Sequence, residues 1–295
     1  MAHNIQMKRI MLSDSTTSAD ECNVTVSRCK GVAPFALTPD LPSALAEGTS
    51  VKSLVQGSVI RWGGICLVGG ALAFLVVFSY LAAKFNYPDV LDGPAATVLP
   101  ALLATGRSGR AVWTIYAFLP LIWIPAGVAA FEAFSAERRG AMRLAMFFAF
   151  LGAIAMMLGL MRWPSMHWNL ALAYVQTAPP EQAVLAATFD GLNTYLGNFI
   201  GEFLGELAVS VFFLLTSLCW LRLLPRRRWM GWLGVGTGVA GLIGMFRNVT
   251  SVVAPIAALN NYLLPLFMII LGAALMRWRG SDGSAPGVMR ADYAL

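Results

Sequence analysis

Residues 62–83 decide the fold class of this chain, and they read WGGICLVGGALAFLVVFSYLAA. These 22 residues carry no charge and lie between Arg61 and Lys84. A helix of about 20 apolar residues is long enough to cross the roughly 30 Å hydrocarbon core of a bilayer. The stretch therefore predicts a transmembrane helix.

The composition of the whole chain agrees with this reading. Of the 295 residues, 58% are hydrophobic and 12% are charged, whereas a soluble domain carries about 25% charged residues. This balance excludes a soluble enzyme domain, a nucleic-acid-binding module and a disordered chain. The class that remains is a polytopic membrane protein, as the mean hydropathy of +0.67 also indicates.

Six stretches of this kind occur along the chain. They predict an all-α membrane protein, a bundle of six transmembrane helices, in a domain of residues 61–279. Residues 1–60 are predicted to form a mobile polar cytoplasmic tail, and residues 280–295 a C-terminal cytoplasmic tail. The predicted spans cover about 62–84, 111–133, 142–162, 192–222, 229–247 and 252–277.

The distribution of Lys and Arg predicts the orientation. With the N-terminus inside, the cytoplasmic segments hold 16 of the 21 basic residues. Such an excess is typical of cytoplasmic loops, so both termini are expected on the cytoplasmic side of a bacterial inner membrane. This excess also explains the pI of about 9.4 without a nucleic-acid partner. The basic residues expected outside are Lys84, Arg107, Arg110, Arg162 and Arg247.

Two long outer connectors predict short amphipathic helices on the outer face. Residues 85–110 contain the helix-start signal Asp-Gly-Pro at 92–94. Residues 163–191 contain a Trp-rich piece, followed by a second helix that opens at Pro179. Because amphipathic, Trp-rich segments favour the interfacial layer, we expect a helical cap there.

The fourth predicted span carries two stripes of residues spaced by four. Gly197, Gly201 and Gly205 form a ridge of small residues, which predicts close packing against another helix or a second subunit. The neighbouring stripe consists of the polar residues Asn198, Glu202 and Glu206.

An ionisable residue at membrane depth indicates a functional site. Glu202 and Glu206 repel each other if both are ionised, so at least one needs a proton or a cationic partner. We predict a ligand-binding pocket or a buried ion-pair cluster in the outer half of the bundle, with Arg162 or Arg247 as the partner. The other polar residues expected at this level are Asn198, Asn248, His167, Asp190, Asn260 and Asn261.

No catalytic or cofactor motif accompanies this cluster. The chain contains two histidines, His3 and His167, and no other potential metal ligands stand near them at the spacing of a metal site. HExxH and GxSxG motifs are absent from the sequence. The sequence thus predicts no metal, no cofactor and no catalytic residue.

Several short motifs resemble those of a known family. They read NYP at 86–88, RWP at 162–164 and LNTYLG at 192–197, the last followed by Gly201-Glu202. Together they resemble the bacterial membrane proteins grouped as domain of unknown function 4386, over about residues 62–278. The resemblance implies a six-helix integral membrane protein and supplies no reaction.

Three functions remain open at this point. The first is binding of a small polar or amphiphilic ligand in an outer-leaflet pocket around Glu202 and Glu206, a cluster that could equally be structural. The second is a regulatory or structural membrane component that acts through protein partners. The third is a transporter or an enzyme acting on lipid-linked substrates. The expected partners are the lipid bilayer and a small ligand, and the oligomeric state is open.

Overall fold

The computed structural model describes residues 43–224 and 227–278 of the chain, and this part is helical and holds no strand. Apolar residues recur too densely for a single amphipathic stripe, which is typical of helices surrounded by lipid and by other helices. The helices are α1 Ser43–Phe85, α2 Ala95–Ala104, α3 Gly106–Phe118, α4 Trp123–Met161, α5 Trp168–Tyr174, α6 Pro179–Leu192, α7 Gly205–Leu223, α8 Arg228–Gly244 and α9 Ala254–Met276.

These helices join into six long apolar spans, each long enough to cross a bilayer. Within the described residues, the predicted all-α bundle of six transmembrane helices is confirmed, and the chain is a multi-pass membrane protein. The spans are span 1 Val55–Phe85, span 2 Gly106–Ala136, span 3 Arg138–Tyr174, span 4 Pro179–Leu223, span 5 Arg228–Asn248 and span 6 Ser251–Met276.

The first helix begins earlier than the sequence predicts. Helix α1 starts at Ser43, so residues 43–60, which we assigned to the polar tail, are helical. Once the apolar part of a helix has formed, each added residue gains a hydrogen bond without a new nucleation cost, which explains the extension. The rest of the predicted tail, residues 1–42, lies outside the described residues, as do Pro225, Arg226 and residues 279–295.

We call the end of the bundle that holds residues 86–105, 175–178 and 249–250 the cap end. Helix α2 lies there and packs against α5 and α6. The two helices predicted within residues 163–191 are present, but as extensions of spans 3 and 4 instead of separate surface helices. Pro164 lies inside span 3, and the backbone there takes the π-helical form over Trp163–His167, a local adjustment that tolerates a proline within a transmembrane helix.

The two ends of the bundle are packed differently. At the end opposite the cap, small residues bring the helices close together, and a methyl group on Gly64 would lie 2.6 Å from the carbonyl oxygen of Gly272 in span 6. At the cap end, aromatic rings fill the core. Trp113 stacks on Trp163 with ring centroids 4.8 Å apart, and Phe85 meets both rings edge-on.

Candidate functional site

A cavity of about 490 Å³ lies inside the bundle toward the cap end. All six spans contribute to its wall, and residues 87–89 and 91 add to it between spans 1 and 2. The volume is within the range of small-molecule sites, which extends from roughly 300 to 1,000 Å³. Apolar surface dominates the wall, and a few polar groups converge on one part of it.

Three irregular backbone segments border this cavity. Span 2 is interrupted by a turn of 3₁₀ helix at Leu119–Ile122, and three residues of this turn line the cavity. Spans 3 and 4 contain π-helical segments at Trp163–His167 and Asn193–Leu204. Irregular backbone at membrane depth is tolerated where it lines a cavity, and π segments are frequent at functional sites. The deformations therefore mark the same place as the polar groups.

Arg247 at the end of span 5 pairs with both carboxylates of span 4. Its Nε lies 3.3 Å from Oε2 of Glu202, and its Nη1 donates a hydrogen bond to Oε2 of Glu206. A single guanidinium thus reduces the repulsion between two carboxylates that lie one turn apart. All three side chains line the cavity.

Two amides complete this cluster. Asn248 donates from Nδ2 to Oε2 of Glu202 at 2.8 Å and to the carbonyl oxygen of Asn198 at 3.2 Å. Asn260 of span 6 donates from Nδ2 to Oε1 of Glu206 at 3.3 Å. Both oxygens of Glu206 therefore have partners, and spans 4, 5 and 6 are joined through this one side chain.

Arg162 of span 3 takes a different role from the one we predicted as an alternative partner of the carboxylates. Among the described residues, no carboxylate lies within 4.0 Å of its guanidinium. Its Nε donates to Oδ1 of Asn193 at 3.1 Å, and its Nη1 donates to the carbonyl oxygen of Gly159. Only 4% of Arg162 is exposed, and the residue lines the cavity.

Sequence reasoning did not select Asn193 as a site residue. It is buried, accepts from Arg162 and donates from Nδ2 to the carbonyl oxygen of Leu91 at 3.1 Å. The signal was present, because Asn193 stands four residues before Gly197 and so extends the glycine ridge by one step.

The glycine ridge of span 4 packs against span 3 of the same chain. A methyl group at Gly197 would overlap the guanidinium of Arg162, and one at Gly201 would lie 2.9 Å from Cα of Gly159. Gly205 similarly faces Met156. The ridge allows the close helix approach that its spacing predicts, and at Gly197 it also makes room for a buried cation.

The remaining predicted residues fall into two groups. Asn261 lines the cavity and is exposed, whereas Asn198 contributes a backbone carbonyl to the cluster. His167 and Asp190 do not line the cavity. His167 is fully buried between the rings of Trp163 and Phe189, with centroids 4.7 and 4.6 Å away.

The exclusion of Asp190 has a simple geometric reason. Asp190 is exposed in α6 and precedes Glu202 by 12 residues. At 1.5 Å per residue, this separation is about 18 Å along a helix. His167 and Asp190 thus lie outside the wall of this cavity, since being near the same membrane boundary does not bring side chains into one pocket.

Aromatic side chains form a further part of the wall, and sequence reasoning missed them because they come from separate segments. The hydroxyl oxygens of Tyr87 and Tyr116 are 3.2 Å apart. Burial raises the pKa of Tyr87 above its ordinary value, so this hydroxyl keeps its proton at neutral pH. The aromatic wall residues are Phe74, Phe78, Tyr87, Tyr116, Trp123 and Trp163.

Comparison with known proteins gives one match. The family described as Domain of unknown function (DUF4386) matches residues 63–278, which is most of the chain and includes the whole cavity wall. No curated protein and no solved structure matches the chain.

Proposed function

This chain belongs to the DUF4386 family, whose description names no reaction, and we propose from the cavity that it binds a small amphiphilic molecule in the membrane. One observation carries this proposal. Polar side chains of spans 3 to 6 and aromatic rings of spans 1 and 2 line a single cavity of about 490 Å³. An apolar pocket with a few convergent polar groups is the usual form of a small-molecule site.

A cluster that only locked the helices together would not need this space. Protein interiors are close-packed, with few voids larger than a water molecule. Here, by contrast, the ion-paired side chains Glu202, Glu206 and Arg247 all line the cavity. The conjunction of buried charge and open volume supports binding over packing alone.

A specific observation supports a structural role as the second candidate. Both oxygens of Glu206 are occupied by groups of the protein itself, Arg247 of span 5 and Asn260 of span 6. Glu206 would then hold three spans together, while binding depends on Glu202, Arg162 and the aromatic wall. The two candidates are separated by removing Glu202 and leaving Glu206 intact.

The proposed membrane orientation follows from the basic residues. Arg138, Arg139 and Arg143 lie at the end of the bundle opposite the cap, as do Arg222 and Arg228. The positive-inside rule would place that end on the cytoplasmic side of an inner membrane. The cavity would accordingly face the outer leaflet.

The test compares the wild type with two variants, each protein being extracted from membranes without detergent. The small molecules that copurify with each protein are identified by mass spectrometry. Glu202→Ala removes a carboxylate from the cavity wall, whereas Asp190→Ala removes an exposed carboxylate of the same span. We expect one amphiphile to accompany the wild type and Asp190→Ala and to be lost from a folded Glu202→Ala. Equal recovery from all three proteins, or no such molecule in the wild type, would favour the structural candidate.

A further inference from the structure

Building on the binding function proposed above, we infer that the bound molecule is a membrane lipid with a zwitterionic head that carries N–H donors, and that it enters from the bilayer between spans 1 and 6. The inference combines the charge balance of the wall, the unused hydrogen-bonding groups on it and the side on which the cavity opens.

The charges on the inner wall balance. Arg162 and Arg247 contribute two positive charges, and Glu202 and Glu206 contribute two negative charges. Asp89, the other charged residue of the wall, is exposed. A further net charge in a buried site carries a large desolvation cost unless it is paired. A head group without net charge therefore fits this wall best.

The acceptors on the wall without a donor among the described residues include Oδ1 of Asn260 and Oε1 of Glu202. Asn260 is 2% exposed, and its amide orientation is set because Nδ2 donates to Glu206. Its Oδ1 has no hydrogen-bond partner among the described residues. Oε1 of Glu202 also has none there, since Asn248 and Arg247 both contact Oε2. An ammonium group with N–H donors satisfies such acceptors, and a quaternary ammonium cannot.

The donors on the wall without an acceptor among the described residues include Nη2 of Arg162, whose guanidinium has no carboxylate of those residues within 4.0 Å. Arg162 makes its hydrogen bonds through Nε and Nη1, and Nη2 makes none within the part of the chain that the structure describes. A guanidinium binds phosphate oxygens through strong charge-assisted hydrogen bonds. The wall thus offers a cation for an anionic oxygen and acceptors for an ammonium, which is the pattern of a zwitterionic head.

We place the opening of the cavity on the side of the bundle, because Ala254, Ala258 and Asn261 of span 6 line the cavity and are exposed. Spans 1 and 6 meet closely at Gly64 and Gly272, and farther toward the cap end both spans line the cavity. There Phe74 of span 1 contacts the ring of Tyr116 in span 2 at 5.9 Å. Asn261 of span 6 lines the cavity and is exposed, and it lies seven residues, or about 10 Å, along α9. An opening beside Asn261 would lie at a depth that lipid chains occupy.

The surface beside this opening is apolar. Leu259, Tyr262 and Leu266 of span 6 are 55, 77 and 47% exposed. In a bilayer these side chains face acyl chains, because no water is present at that depth. A two-chain lipid whose head occupies the cavity would lay its chains along this face, whereas a soluble zwitterion would make no use of it.

The test uses delipidated full-length protein in detergent and native mass spectrometry. The probes are phosphatidylethanolamine, phosphatidylcholine and phosphatidylglycerol with identical chains, and glycerophosphoethanolamine, which has no chains. We expect phosphatidylethanolamine to be retained about tenfold more strongly than the other two lipids, the equivalent of one hydrogen bond to a charged or buried group. Glycerophosphoethanolamine should show no detectable retention.

A matched pair of variants tests the route. Ala258 lines the cavity and is exposed, and the neighbouring Leu259 is exposed and outside the wall. Ala258→Phe should reduce phosphatidylethanolamine retention about tenfold, since it fills the opening, and Leu259→Phe should leave retention unchanged. Equal loss in both variants would overturn the lateral route.

Failure of this inference can be distinguished from failure of the binding function. Equal retention of the three lipids, or a preference for phosphatidylglycerol, would overturn the claim that the site selects a zwitterionic head group. Retention of glycerophosphoethanolamine without retention of the three lipids would overturn the claim that the bound molecule is a lipid. In each case an amphiphile or polar compound that copurifies with the wild type and is lost from Glu202→Ala would leave the binding function standing.

Discussion

Arg247 and Arg162 line the same cavity, and they are held in opposite ways. Arg247, at the end of span 5, contacts two carboxylates of span 4 and keeps 30% of its side chain exposed. Arg162, in span 3, is 4% exposed and is held by an amide oxygen and a backbone carbonyl. Arg247 thus has direct carboxylate partners, whereas Arg162 has none within 4.0 Å among the described residues.

This difference indicates how the site divides its tasks. A buried charge that lacks a counter-ion is costly, and such groups persist mainly where they have a function. The dipoles of Asn193 and Gly159 hold the guanidinium of Arg162 in place without cancelling its charge. We therefore expect Arg247 to act as part of the framework of the bundle, and Arg162 to be the group available to a bound anion.

The strongest test of this division is Arg247→Met. The substitution leaves Glu202 and Glu206 facing each other without a cation, and breaking a partly buried ion pair in this way costs about 3 kcal/mol. We expect the free energy of unfolding, measured by chemical denaturation in detergent micelles, to fall by that amount. Arg247→Lys, which keeps the charge, should lose less, and an Arg247→Met protein as stable as the wild type would refute the framework role.

Arg162→Met should cost less stability, about 2 kcal/mol. It leaves Oδ1 of Asn193 and the carbonyl oxygen of Gly159 without their donor, at roughly 1 kcal/mol each, but both carboxylates keep Arg247 as their direct partner. The same denaturation experiment measures the loss. Lipid retention by Arg162→Met should fall more steeply than in any variant with the same loss of stability. Unchanged retention would show that Arg162, like Arg247, has a structural role.

Gly197→Ala probes the same arginine without changing a charge. A methyl group at this position would overlap the guanidinium of Arg162. Overpacking costs about 1–3 kcal/mol, and the better helix propensity of Ala returns up to about 1 kcal/mol, so a net loss near 1 kcal/mol is expected.

The control for Gly197→Ala is Gly191→Ala in the same span. Nothing lies within 4 Å of a methyl group at Gly191, so this variant should be as stable as the wild type or more so. Melting curves of the two proteins in the same detergent would make the comparison. Coincident melting curves would show that the close contact between Gly197 and Arg162 contributes nothing to stability.

Sequence could predict the parts of this site that lie on one helix. The spacing of Glu202 and Glu206, and of Gly197, Gly201 and Gly205, places each set on one stripe whatever the rest of the fold does. It could not choose between Arg162 and Arg247 as the partner of the carboxylates, because that choice depends on the rotation of spans 3 and 5 about their own axes.

The misplaced residues have the same origin. Distance from the membrane boundary predicts His167 and Asp190 near the cluster, whereas the structure puts one inside an aromatic core and the other on the surface. The aromatic wall was missed for a related reason, since Phe74, Tyr87 and Tyr116 come together only when spans 1 and 2 pack. Depth can be read from a sequence of this kind, whereas the direction in which a side chain points needs the packed bundle.

The smallest expected effect is that of Asp190→Asn. Asp190 is exposed, makes no ion pair among the described residues and lies outside the cavity wall, so its charge interacts mainly with solvent. Surface substitutions of this kind change stability by about 0.5 kcal/mol or less. Unchanged denaturation and unchanged lipid retention are expected, measured beside Arg162→Met. A loss of retention in Asp190→Asn would mean that the functional surface extends to α6, and the contrast between the two arginines would then describe only part of the site.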